Sequence, residues 1–378
     1  MSWNDDSTRV DVTLLHGSVT FTDDLTDVLS LSSDGVFTIR NWSGIVPHTI
    51  EIRSSGGKLT RTYYVAGISR GWDEDARRML ARELPAIVRR SGLGAQQRVK
   101  SILAGKGVSG VLDEIALLGG DYARRLYFVA LVDTANLDAS SIQPVLLAVG
   151  QRMTSDYDRG QVLQHIAGHV TLDERAASAY LQAMGSMKSD YERRRALTVL
   201  LAKAPAAQND ALFAAVDQMK SSYDKRQVLA EALTKDSLTL EAKKALLVSS
   251  AGIQSDYDRS QVLLGYVERF GVEPSVRDAF FTAVRAIKSD YERRRVLTAV
   301  ANKGSVSADV QQQAFAIVAG MFSDYDRAEV LLAFLHAQGV SAGSRDAFVT
   351  AAERIKSSHD QNRVLAALVK SEVKKSLR

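Results

Sequence analysis

Ser255-Asp256-Tyr257-Asp258-Arg259-Ser260-Gln261-Val262-Leu263 decides the fold, because it returns down the chain. Its core recurs as Gly120-Asp121-Tyr122-Ala123-Arg124, Ser155-Asp156-Tyr157-Asp158-Arg159, Ser189-Asp190-Tyr191-Glu192-Arg193 and Ser221-Ser222-Tyr223-Asp224-Lys225. Beyond the quoted copy it continues as Ser289-Asp290-Tyr291-Glu292-Arg293, Ser323-Asp324-Tyr325-Asp326-Arg327 and Ser357-Ser358-His359-Asp360-Gln361. The aromatic position therefore recurs at spacings of 35, 34, 32, 34, 34, 34 and 34 residues. A fixed period in this range is the signature of a repeat architecture.

Each copy reads as the start of a helix. Ser followed three residues later by Asp or Glu is a capping box: the hydroxyl accepts an amide of the first turn, and the carboxylate is expected to reach back to the cap amide. An Asp at the first helical position adds charge complementary to the positive helix end. Apolar residues then follow at helical spacing, as in Val162, Leu163, Ile166 and Val170 or Val330, Leu331 and Phe334. Two residues before each cap stands Leu118, Met153, Met187, Met219, Ile253, Ile287, Met321 or Ile355, read as the end of a preceding helix. Those preceding helices are expected at about 173–187, 208–219, 241–253, 275–287, 308–321 and 343–355, with Ala204-Pro205 and Gly271-Val272-Glu273-Pro274 among the turns between repeats. One spacer residue before the cap forces a tight turn, so the two helices form an antiparallel hairpin. A single hairpin cannot bury its apolar face, and stacking neighbours bury it jointly. The expected fold is mainly α: an α-solenoid of about eight 34-residue helical-hairpin repeats over 105–378, behind a small N-terminal antiparallel β domain over 1–70 and connecting helices over 71–104.

The front of the chain alternates as strands do, in Val10-Val12-Leu14, Val19-Phe21, Val28-Leu29-Leu31, Val36-Thr38-Ile39 and Ile50-Ile52. Five or six strands are expected, with hairpin turns at Ser33-Asp34-Gly35 and Ser55-Gly56-Gly57-Lys58. A helix from Asp73 to about Arg90, kinked or restarted near Pro85, and shorter helices at about 95–104 and 108–118 should follow.

The pattern Ser-Asp-Tyr-Asp/Glu-Arg-x-x-Val-Leu resembles HEAT-type α-solenoids, which implies an Asp–Arg ladder between repeats. Together with Thr26-Asp27-Val28-Leu29-Ser30-Leu31 and Tyr63-Tyr64-Val65-Ala66-Gly67, it also resembles the extracytoplasmic repeat tails of bacterial membrane-anchored zinc peptidases of the β-lactam-sensor type. The sequence holds no His-Glu-x-x-His, so the peptidase chemistry does not carry over.

Composition narrows the function. The chain has 378 residues, is 46% apolar and 24% charged, and carries no cysteine, which excludes disulfides, thiolate metal sites and cysteine nucleophiles. No stretch is apolar enough to span a membrane. A place in the bacterial cell envelope follows if a leader or anchor was removed from the chain, and the cytoplasm otherwise. Residues 1–70 hold six Lys/Arg against eight Asp/Glu, and the remainder 42 against 36. That mild basic excess is interleaved with acids, so a protein or peptide partner is expected ahead of a nucleic acid.

Two side-chain rows are candidates for function. Arg159, Arg193, Arg259, Arg293 and Arg327 fall on the buried stripe and are expected to pair with a carboxylate of the adjacent cap. The tyrosines fall on the opposite side, where a ring at each rung suits a peptide or stacked bases, or covers the neighbouring hairpin. The position three residues after each tyrosine varies as Gly160, Arg194, Arg226, Ser260, Arg294, Ala328 and Asn362, as either a partner-reading or an unconstrained surface would. Tyr191, Arg194, Tyr223, Arg226, Tyr257, Tyr291 and Arg294 are the expected partner-binding residues of a non-enzymatic scaffold or sensor module; a nucleic-acid-binding helical repeat is the alternative. No P-loop, dinucleotide fingerprint or nucleophile elbow occurs, and the carboxylates of Asp156 and Asp158 are explained by capping. His165 and His169, four apart, lack a third ligand in the sequence, so neither a metal nor a cofactor is expected.

Overall fold

A computed structural model describes residues 1–5, 8–43, 45–203, 210–235, 238–304 and 306–376. The chain is mainly helical with a small antiparallel sheet at its N-terminus, and no helix among the described residues is long and apolar enough to cross a membrane. It divides into two compact units, Met1–Met187 and Lys188–Arg378.

The first unit opens with β1 (Ser2–Asp5), β2 (Thr8–Leu15), β3 (Val19–Phe21), β4 (Val28–Leu31), β5 (Val36–Ser43), β6 (Pro47–Ser55), β7 (Lys58–Val65) and β8 (Ile68–Arg70). Six of them make one antiparallel sheet, ordered β1-β2-β5-β6-β7-β8, and β3 pairs with β4 separately. The alternation sends Val10, Val12, Phe37, Ile39, Ile50 and Ile52 to one buried face. The turn at Gly56-Gly57 is the expected two-residue hairpin: both glycines have positive φ, and Ser55 faces Lys58. The turn at Ser33-Asp34-Gly35 is not a hairpin, because the strands it joins belong to different sheets; β2 takes β5 across a connection that holds the whole β3–β4 pair. Short local patterns signal a turn but not the partner of the strand that leaves it.

Helix α1 (Glu74–Ser91) is capped by Asp73 and runs unbroken through Pro85, so the expected restart does not occur. Its Ala76, Met79, Leu80, Leu84, Ile87 and Val88 join the sheet residues in one core. Helix α2 (Ala95–Ala116) breaks at Gly107, whose φ of 65° leaves the helical region, close to the expected boundary between two shorter helices. Helices α3 (Asp121–Thr134), α4 (Ile142–Arg152), α5 (Asp156–His169) and α6 (Glu174–Met184) complete the unit, with α3 on α5 and α4 on α6.

The second unit holds α7 (Asp190–Lys203), α8 (Asp210–Asp217), α9 (Ser222–Leu233), α10 (Leu240–Ala251), α11 (Asp256–Phe270), α12 (Arg277–Arg285), α13 (Asp290–Asn302), α14 (Ala308–Ala319), α15 (Asp324–Ala337), α16 (Arg345–Glu353) and α17 (Ser358–Ser376). Each odd-numbered helix packs on the next odd one and each even on the next even, the alternation that stacked hairpins require. The even helices stop short of the expected ends. Met219, Ile253, Ile287, Met321 and Ile355 lie just beyond them, buried, each donating its amide to a carbonyl three residues back. These residues plug the turn instead of finishing the helix. The Ala204-Pro205 turn and the expected helix start at 208 lie outside the described residues.

Candidate functional site: the capped edge of the repeats

Every Ser cap behaves as one half of a capping box. The hydroxyls of Ser155, Ser189, Ser221, Ser255, Ser289, Ser323 and Ser357 accept the amide three residues on. Gly120, at the first copy, offers no such group. The reciprocal half is replaced. The cap amide is taken by the Asp at the first helical position of the preceding repeat: Asp256 accepts from Lys288 and Ser289, Asp290 from Phe322 and Ser323, Asp324 from Lys356 and Ser357, all within 2.6–3.0 Å. Asp121 does the same for Thr154 and Ser155, and Asp190 for Lys220 and Ser221. Where that position is Ser222, its hydroxyl accepts the amide of Ser255. The spacer and cap amides ahead of one helix are thus held by the equivalent helix of the preceding repeat. Burial pushes the Asp121 carboxyl up, but the amides of Ser155 and Thr154, the Thr154 hydroxyl and Arg124 outweigh it and hold its pKa below the usual carboxylate value.

The buried arginines do not pair as expected. Arg259 bonds Asp256 of its own first turn at 3.1 Å, and Arg327 bonds Asp324 at 2.7 Å. Their terminal nitrogens also reach carbonyls at the turn of their own hairpin, on Ile253 and Met321, and of the following one, on Ala286 and Arg354. Helices end with unsatisfied carbonyls, and a five-donor guanidinium in a fixed fork suits several of them at once. The tie between repeats therefore runs from arginine to backbone, with the carboxylate on the same helix. Burial lowers the Arg259 pKa, opposed by the charge of Asp256.

A recurring set of ion pairs between repeats comes from the variable position. Arg125 bonds Asp158 at 2.8 Å, Arg194 bonds Asp224 and Arg226 bonds Asp258 at 2.7 Å, and Arg294 bonds Asp326 at 2.5 Å. Where the position is small, the next carboxylate finds other donors: the Ser260 hydroxyl donates to Glu292, which also takes Arg295. The carboxylates Glu192, Glu292 and Asp360, which follow a neutral residue at this position, keep a cationic partner on their own helix in Arg195, Arg295 and Arg363.

The tyrosines stand outside this network. Tyr191, Tyr223, Tyr257, Tyr291 and Tyr325 are each between 52% and 54% exposed, and Tyr122 and Tyr157 each 55%, so the rings are presented instead of being buried under a neighbour. Arg194, Arg226 and Arg294 lie 5.1 Å over Tyr191, Tyr223 and Tyr291, and Arg294 also lies 5.5 Å from Tyr325. Tyr257, followed by Ser260, has no cation over its ring among the described residues. Tyr191, Arg194, Tyr223, Arg226, Tyr257, Tyr291 and Arg294 thus recur at equivalent positions of successive repeats in the second unit. Phe322, in the spacer position before a cap, is 91% exposed. Lys220, Lys288 and Lys356 share that spacer position, are exposed, and form no ion pair among the described residues. The spacing of the caps locates these spacers in the sequence, but only the amide clamps show that their backbone is fixed and their side chains project. Compared with protein-family models and with curated proteins, the chain gives no match.

Proposed function

We propose that residues 105–378 form a HEAT-like α-solenoid of about eight repeats that binds an extended protein segment without catalysing a reaction. Tyr191, Arg194, Tyr223, Arg226, Tyr257, Tyr291 and Arg294 are its contact residues. The observation that carries this reading is the row of half-exposed tyrosines on an edge whose acids and arginines are already bonded to one another. Such an edge offers aromatic area at low entropic cost and little charge for phosphates. The exposed Lys220, Lys288 and Lys356 favour acidic side chains in the bound segment. A nucleic-acid partner is disfavoured because each of Arg194, Arg226 and Arg294 is neutralised by an aspartate.

The test is selection of random peptides on the full chain, beside titration with a short single-stranded oligonucleotide. Selected peptides are expected to be acidic with apolar residues between, and no submicromolar oligonucleotide binding is expected at physiological salt. Tight, salt-sensitive binding of an arbitrary oligonucleotide, abolished by Arg194→Glu with Arg294→Glu while the fold is kept, overturns the proposal in favour of nucleic-acid recognition.

A further inference from the structure

Away from the tyrosine row, the first unit brings a carboxylate to two metal-ligating histidines that lie 32 and more residues from it in the sequence. His165 and His169 sit one turn apart on α5, with ring centroids 4.0 Å apart. Asp133, in the last turn of α3, meets His165: its Oδ1 lies 2.6 Å from His165 Nε2. One ligand atom from each of the three lies within 4.8 Å of the others. Packing of α3 on α5 thus supplies the third ligand missing from the local sequence.

The orientation of His169 is set by its other nitrogen. His169 Nδ1 lies 2.8 Å from the carbonyl oxygen of His165, and a carbonyl can only accept, so Nδ1 carries the proton. The neutral ring then holds its lone pair on Nε2, the arrangement in which a metal-binding histidine is fixed by a backbone acceptor. His165 and Asp133 share a proton in the absence of a metal. A divalent ion displaces that proton, and because metal–nitrogen and metal–oxygen bonds are each about 2.0–2.2 Å, the carboxylate must retreat slightly from its hydrogen-bonding distance. Asp133 is 41% exposed on its side chain and forms no other ion pair among the described residues, so that movement is open to it. Asp133 also lines a cavity of about 910 Å³ between the sheet and α2–α3, together with Leu14, Val19, Gln97 and Lys100.

We propose that Asp133, His165 and His169 form a binding site for a divalent first-row transition ion of the Zn²⁺ type. Two imidazoles and one carboxylate match the donor preference of such ions and leave coordination positions open to water or to a further ligand. Calcium and magnesium, which prefer all-oxygen donors, do not fit this set.

The experiment uses the full chain without a histidine tag. Co²⁺ is added as a spectroscopic probe and Zn²⁺ is titrated by calorimetry, with circular dichroism melts as a fold control. The expected result is one ion per chain, a visible Co²⁺ absorption displaced by Zn²⁺, and affinity reduced about tenfold or more in both His169→Ala and Asp133→Asn, with His336→Ala unchanged. His169 lies exposed at the end of its helix, so its substitution leaves the Asp133–His165 contact intact and separates ligation from folding. Absence of stoichiometric Zn²⁺ binding by the wild-type chain, or binding equally tight in His169→Ala, overturns the site and leaves the cluster as a hydrogen-bonded surface pair.

Discussion

The sheet with α1 and the helices from 188 onward solve the same problem, burial of apolar surface, by opposite means. In the sheet region one core joins residues from Val10 to Val88, and its strands are paired across connections as long as that from β2 to β5. In the second unit helices pack on the equivalent helices of neighbouring repeats, and polar links of the same kind recur along them. A defect in the first region is shared by the whole core, whereas a defect in the second is confined to its neighbours. The repeats also fix their polar groups inward and leave one side-chain row outward, which a single core has no reason to do.

The largest expected effect lies in the sheet. Phe37 is fully buried and meets Phe21 edge to face, so Phe37→Ala should cost about 3–5 kcal/mol in denaturant unfolding. A loss below about 1 kcal/mol would break the contrast, because it would mean that this core also yields locally. In the repeats, Arg259→Ala removes the fork that holds Ile253 and Ala286 and should cost about 3 kcal/mol. Hydrogen exchange is expected to accelerate around residues 251–253 and 286–289 while the sheet amides stay protected. Uniform acceleration across both regions would contradict local repeat stability.

Smaller effects sharpen the comparison. Ser289→Ala removes one cap and should cost roughly 1 kcal/mol, since Asp256 still holds the cap amide. Acid sensitivity should follow the clamp at Asp121. Its folded pKa is lowered, so its contribution is present above the unfolded carboxylate pKa and is lost as pH falls through the folded value. Asp121→Asn is expected to make the acid limb of stability against pH less steep. An unchanged acid limb would show that the clamp contributes nothing through its charge.

How much of this was legible in the sequence depends on range. The Ser caps and the first-turn carboxylates are local, and their three-residue spacing gives the helix starts directly. The break at Gly107 and the Gly56-Gly57 hairpin were also marked by local chemistry. The partners of Arg259 and Arg294 were not, because each sits within four residues of two acids on its own helix and only packing decides which carboxylate it can reach. Asp256 looked like a helix-end charge, yet its second oxygen clamps the next repeat, 33 residues away. Asp133 carried no local signal toward His165, and the partner of β5 required knowledge of the whole sheet.

The account holds that the polar rungs stabilise while the tyrosines bind, and the double variant Tyr257→Ala with Tyr291→Ala tests this most directly. Its melting curve and its affinity for a selected acidic peptide are measured together with those of the parent. The account predicts stability within about 0.5 kcal/mol of the parent, because half-exposed surface residues contribute little, and affinity weakened by about tenfold or more. A variant that melts well below the parent yet binds the peptide as tightly would contradict it and make the tyrosine row structural.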